Sequence, residues 1–259
     1  MKLQILPQFP PQKRFSADQI ATYALCSQRE FFDRTLKTRS IQLPSLSLEE
    51  DKIISQIIQQ VSYLLTTSNK ERILTLADLQ SIVDKYIYGS LELDNIDKNY
   101  TLFASLSSRA FTILSYWYNN YFVTAKNICC LPNFPLECHL NEFAVHYTLP
   151  LLCIGSQTAT AIFFTEELPN VSDMYDNVFY QTIAYMLQKQ IPQLAPVITN
   201  MMLNKHSISS KSLKSFNKDY FQKVENVIYY NCVGLFKDIK YTNKSLECTV
   251  CPYKDKCSF

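Results

Sequence analysis

Glycine is nearly missing from this chain: three residues in 259, none of them paired. That excludes a glycine-rich loop cradling phosphate and a glycine-flanked nucleophile elbow, since both need several close backbone approaches. Histidine is equally scarce. His139, His146 and His206 are scattered and share no metal-ligand spacing. No apolar run approaches the roughly 18–20 residues that cross a bilayer. The opening Met-Lys-Leu-Gln-Ile-Leu-Pro-Gln has no apolar signal segment, so a cytoplasmic protein without a membrane role is expected. Positive charge is absent from a long central stretch: no Lys or Arg lies between Lys126 and Lys189, where Glu137, Glu142, Glu166, Glu167, Asp173 and Asp176 stand. The basic residues collect at the two ends, although the net charge is only +2.

Hydrophobic residues make up 47%, which places the chain among globular proteins with a sizeable core. Cysteine is plentiful, at nine. An odd count without a secretory signal argues against an extracellular disulfide framework. Cys129, Cys130, Cys138, Cys153 and Cys232 lie in apolar surroundings and read as buried thiols. The other four are arranged differently. Cys26 stands alone near the N-terminus, and Cys248, Cys251 and Cys257 form a C-x2-C-x5-C triplet at the far end. Three thiolates so close can wrap one metal centre, and the distant Cys26 can supply the fourth ligand. Such a Cys₄ set holds a [4Fe–4S] cluster or a structural zinc. Cysteines that merely sit in a core are the third alternative.

Residues 1–14 read as an extended arm. Ser16 caps a helix expected through Ala17–Leu36. Glu49–Leu65 carries a wide apolar stripe, Leu76–Tyr88 follows a Thr75 cap, and Tyr100–Phe122 holds the only Trp, Trp117. Short β-branched or aromatic segments follow at Ile128–Leu131, Glu137–Tyr147, Leu149–Ile154 and Thr158–Thr165, the last two as a hairpin through Gly155–Gln157. Helix is expected at Met174–Gln190, strand at Val197–Asn204 and a long helix at Ser212–Gly234. The order implies an α/β fold with a mixed sheet flanked by helices. It divides into a helical insertion (37–125), a sheet core (126–204), and a C-terminal helix with the cysteine tail (205–259), making a single domain from residue 15 onward.

Phe15-Ser16-Ala17-Asp18-Gln19-Ile20-Ala21-Thr22-Tyr23-Ala24-Leu25-Cys26-Ser27-Gln28-Arg29-Glu30-Phe31-Phe32 resembles the opening helix of RecB-like PD-(D/E)XK nucleases. Gln181-Thr-Ile-Ala-Tyr185 resembles the Q-x-x-x-Y helix of the same branch. The terminal cysteine triplet resembles the iron–sulfur staple of AddB and of the CRISPR-adaptation exonucleases. The resemblance spans residues 15 to 257. It implies a restriction-endonuclease-like core, a [4Fe–4S] cluster on Cys26, Cys248, Cys251 and Cys257, and DNA as partner. A helicase or another subunit of a DNA-processing complex is a further implied partner.

In that family, an Asp on one strand and Asp/Glu-x-Lys on the next hold a divalent metal that activates water. This chain departs there. Phe163 and Thr165 stand where the resemblance places the Asp and Lys, and Ser55 stands at the position of an assisting His. No Asp or Glu occurs between Glu142 and Glu166. The expectation is therefore a catalytically inactive nuclease-like protein that binds DNA or scaffolds a complex in recombination, repair or defence. Its DNA face is expected to use Arg29, Arg34, Lys37, Lys254 and Lys256, which a staple would make neighbours. One alternative is an active exonuclease using Mg²⁺ or Mn²⁺ with migrated residues among Glu142, Glu166, Glu167, Gln181 and Tyr185. Another is a protein-interaction module with no nucleic-acid role.

Overall fold

The computed structural model describes residues 13–36, 49–67, 75–90, 96–122, 129–214, 216–241, 248 and 251–257. A six-stranded mixed sheet forms the middle layer. Its strands are β1 (Lys13–Ser16), β2 (Cys129–Leu140), β3 (Phe143–Ile154), β4 (Thr158–Phe164), β5 (Ala195–Leu203) and β6 (Ile208–Leu213). The helices are α1 (Ala17–Leu25), α2 (Ser27–Leu36), α3 (Glu49–Thr67), α4 (Leu76–Ser90), α5 (Ile96–Trp117), α6 (Val171–Asp176), α7 (Val178–Gln190) and α8 (Lys218–Phe236). A π-helical turn, Tyr118–Phe122, follows α5, and a 3₁₀ turn, Lys254–Lys256, lies in the tail.

β3 is the hub. β2 runs antiparallel along its whole length, while β1 (parallel, at Phe143–His146) and β4 (antiparallel, at Leu151–Ile154) share its other edge. Pro150 falls between those two partners, where its missing N–H breaks no ladder. Pro132 and Pro135 are tolerated because β2 pairs only with β3. Asn141, at φ 52°, makes the β2–β3 turn; asparagine accepts that left-handed conformation readily. β5 lies parallel to β4, reached through α6 and α7, and β6 closes the sheet antiparallel to β5.

Each sheet face has its own core, because strand residues alternate between faces. One face packs α1, α7 and α8 around Ile20, Phe143, Phe163, Ile183 and Ile228. The other packs α3, α4 and α5 around Ile57, Val83, Ile113, Trp117, Ile162 and Phe164. The Trp117 indole donates to Ser62 Oγ at 3.0 Å, so its one polar atom is satisfied inside the core. Arg109 on α5 pairs with Asp51 at 2.6 Å and Glu50 at 3.2 Å, binding α3 to α5.

Several boundaries differ from the sequence expectation. The helix expected over 17–36 breaks at Cys26, whose φ −164° and ψ 116° are extended. The expected Met174–Gln190 helix is two, because the Asn177 side chain caps a new start at Phe179 N–H. The helix expected over Ser212–Gly234 starts later, at Lys218, because Ser212 and Leu213 end β6. Ile208 and Leu213 are buried in the two cores on opposite faces of the sheet, and Asn217 caps α8 afterwards. Lys13 and Arg14, placed in the extended arm, begin β1. Among the described residues, no helix is long and apolar enough to cross a membrane.

Candidate functional site

The two chain ends meet. Tyr23, on α1, donates from its hydroxyl to Ile239 O at 2.7 Å, and the Tyr241 hydroxyl donates to Tyr23 O. Ser27 Oγ accepts from Tyr241 N at 2.5 Å and donates to Tyr241 O at 2.7 Å. Farther along the tail, Tyr253 is buried. Its hydroxyl donates to Asp33 Oδ1 at 2.6 Å and its ring lies 5.1 Å from that of Phe32. Gly234 on α8 makes the approach possible, since a Cβ there would meet the Tyr23 hydroxyl at 2.2 Å.

Cys26 sits at the elbow between α1 and α2. Cys251 and Cys257 bracket the 3₁₀ turn, with Cys257 N donating to Tyr253 O at 3.0 Å. The Cys257 thiol is pushed up first by burial and then by Cys26, Cys251 and Cys248, so it feels the other three cysteines. All four are partly exposed and none is in a disulfide. The set has the donor chemistry of a Cys₄ centre. Among the described residues, however, no group of three or more His, Cys, Asp or Glu is arranged to hold a metal ion. The thiols are neighbours without forming a ligand shell.

Beside the elbow, Glu30 is buried at 3% exposure. Its carboxyl is pushed up by burial, a shift that Arg34 opposes and Asp238 and Asp33 reinforce. Arg34 Nε lies 3.5 Å from Glu30, and its Nη2 lies 3.0 Å from Asp238. That ion pairing compensates the charge the sequence reading assigned to DNA. Arg29 is half-buried on α2, whereas Lys254 and Lys256 are exposed on the 3₁₀ turn. The Tyr253–Asp33 bond holds that turn against α2. Lys37 lies outside the described residues.

A cleft of about 520 Å³ opens between α3 and the sheet, lined by Lys52, Ser55, Gln56, Gln59, Gln60, Tyr86, Asn133, Thr148, Pro150 and Phe164. Ser55, at the expected His position, is on this cleft and donates to Lys52 O at 2.8 Å. Phe163 is not on it. That side chain lies on the opposite face of the sheet, with ring centroids 5.6 Å from Phe179 and 6.2 Å from Tyr180. A one-residue shift reverses the face of a strand, so the positions facing α3 are Ile162 and Phe164. The register correction supplies neither a carboxylate nor a lysine.

The acidic candidates lie outside the strands. Glu142 is exposed in the β2–β3 turn, and Glu166 and Glu167 are exposed after β4. Gln181 donates to Tyr175 O at 3.0 Å, and the buried Tyr185 donates to Glu225 Oε2 at 2.7 Å. Glu225 also pairs with Lys189 at 3.2 Å. Both motif residues thus connect α7 to α6 and α8. The residues of α7 next to β4 and β5 are Phe179 and Tyr180, the latter donating to Asn200 Oδ1 at 3.2 Å.

Sequence reasoning missed the amide-lined cleft and the Tyr23–Gly234 contact. The spacing of Gln56, Gln59 and Gln60 along one helical face was the available signal for the first; nothing local marks the second.

No family model matches the chain, and no curated protein matches it. Among solved structures it is similar to the crystal structure of SSO0001, at 8% identity and a TM-score of 0.42, covering 97% of this chain and 89% of that one. A likeness of that depth carries no argument.

Proposed function

We propose that this is a PD-(D/E)XK nuclease-like protein without nuclease chemistry. It binds DNA, or scaffolds a DNA-processing complex, in the cytoplasm, with a [4Fe–4S] cluster on Cys26, Cys248, Cys251 and Cys257. One observation carries the reading: among the described residues lining the cleft beside Ser55, none is Asp or Glu. A divalent metal needs oxygen ligands and an ionised carboxylate, and Gln56, Gln59, Gln60 and Asn133 supply only neutral amides. Lys52, the one charged residue on the lining, is paired with Glu49 at 2.6 Å.

When bound, the cluster would supply a covalent junction between the chain ends. The chain's own residues already bring those ends together: Tyr23, Ser27 and Asp33 hold Ile239, Tyr241 and Tyr253. With the tail in place, Lys254 and Lys256 lie alongside α2 and its Arg29. That is the face proposed for phosphate contact.

The test is a DNA assay on the full chain with Mg²⁺ or Mn²⁺ present. The expected result is no cleavage of single- or double-stranded DNA, with binding that weakens steeply with salt. Removing the Arg29, Lys254 and Lys256 charges should reduce the salt slope by about one unit per lost phosphate contact. Robust cleavage abolished by Glu142→Ala, Glu166→Ala or Glu167→Ala overturns the reading. Binding that ignores both salt and these charges removes DNA from it and favours a protein partner.

A further inference from the structure

Cys130 on β2 and Cys153 on β3 are direct cross-strand partners, and their sulfurs lie 3.1 Å apart. The backbone explains the closeness. Cys130 N–H donates to Thr66 Oγ1 at 3.3 Å, and the same hydroxyl donates back to Cys130 O at 3.4 Å. Both main-chain groups of Cys130 therefore turn away from β3 towards α3. The pair is a non-hydrogen-bonded one, where Cα atoms approach to about 4.5 Å and side chains are closest. Disulfides bridge Cα separations of roughly 4.4–6.8 Å, and these sulfurs need to close by only about 1 Å.

The two thiols differ in access. Cys130 is fully buried. Cys153, though also buried, borders a cleft of about 310 Å³ shared with Trp117, Tyr121, Thr160, Ser212 and Lys214. A small oxidant reaches Cys153 first.

We propose that Cys130 and Cys153 form a redox-active dithiol that a peroxide converts to a cross-strand disulfide between β2 and β3. The Cys153 thiolate attacks one oxygen of hydrogen peroxide, giving a sulfenic acid and, with one proton, water. Cys130 Sγ then attacks the sulfenic sulfur. The S–S bond forms, the S–O bond breaks, and hydroxide leaves as water with the proton from Cys130. Two thiols and one peroxide become one disulfide and two waters; the sulfurs lose two electrons and the peroxide gains them. Contact with Cys130, then burial, holds the Cys153 thiol well above its ordinary range, so the reduced pair reacts slowly at neutral pH.

The test treats the full chain with hydrogen peroxide, unfolds it in excess alkylating agent and maps cysteine peptides by mass spectrometry. The expected product is a peptide pair joined through Cys130 and Cys153, still formed in Cys129→Ser and lost in Cys130→Ser. The melting temperature should rise by roughly 5–10 °C, since the bond closes a loop of about 24 residues, and dithiothreitol should reverse the rise. In Cys130→Ser, dimedone should label Cys153 as the stranded sulfenic acid. Full alkylation of both thiols, a link that persists in Cys130→Ser, or a Cys153 that dimedone never labels would overturn the proposal.

Discussion

Replacing Gly234 with Ala should destabilise this protein, although helix propensity alone argues the reverse. Gly234 lies inside α8, where alanine is favoured over glycine by about 1 kcal/mol. An added Cβ would, however, stand 2.2 Å from the Tyr23 hydroxyl, 2.6 Å from Cζ and 2.7 Å from Cε1. Tyr23 cannot swing away freely, being 5% exposed and bonded to Ile239 O. Overpacking of this kind costs about 1–3 kcal/mol, and losing the hydroxyl bond costs about 1 kcal/mol more. The net loss is about 2 kcal/mol, a fall in Tm of roughly 4–8 °C for a chain of this size. Thermal unfolding of Gly234→Ala, followed by circular dichroism, measures it. In Tyr23→Leu the obstructing ring is gone, so adding Gly234→Ala to that variant should cost nothing further, and the two substitutions should be strongly non-additive. A Gly234→Ala protein as stable as the parent would refute the reasoning, because the propensity gain would then be unopposed.

Other substitutions separate packing from function. Glu30→Gln should stabilise the protein at neutral pH. Burial raises the folded-state pKa of Glu30, so its favourable contribution is complete only below the unfolded pKa and is lost as pH rises through the folded one. The advantage of the Gln variant, measured as ΔTm against pH, should shrink on acidification. Tyr185→Phe should cost about 1 kcal/mol by denaturant unfolding and leave DNA affinity unchanged, because its hydroxyl serves Glu225. Glu225 is held below its ordinary value, chiefly by that bond. The stability it contributes is present above its unfolded pKa and fades as pH falls through the folded one, a loss that Tyr185→Phe should reduce. Serine at Cys26, Cys248, Cys251 or Cys257 should each lower metal content, since a ligand set spread over both chain ends couples metal to folding.

Local chemistry was legible in the sequence, and faces across the sheet were not. Ser16 announced the start of α1, and in the structure Gln19 completes a reciprocal cap with it, Gln19 N to Ser16 Oγ at 3.2 Å and Ser16 N to Gln19 Oε1 at 3.0 Å. Thr75 did the same for α4, where Asp78 proves to be its capping partner. The break at Cys26 had no Gly or Pro to mark it, because the tail, through Tyr241 on Ser27, holds the elbow from outside. Phe163 was assigned to the site by the family resemblance. The apolar run Ile162-Phe163-Phe164 gives no alternation, so nothing in the strand itself shows which residue faces α3. Cys130 and Cys153 looked like ordinary buried thiols until the turn at Asn141 fixed the hairpin register that pairs them. Arg34 was assigned to the DNA face, and one of the two acids paired with it, Asp238, lies 204 residues away.

The proposal places Cys26, Cys248, Cys251 and Cys257 around one cluster, and iron and acid-labile sulfide analysis of the anaerobically purified full chain tests it most directly. The account predicts a brown protein absorbing near ~400 nm with about four irons and four sulfides per chain, lost together when Cys26 alone becomes serine. A colourless protein holding zinc, or no metal at all, would contradict it.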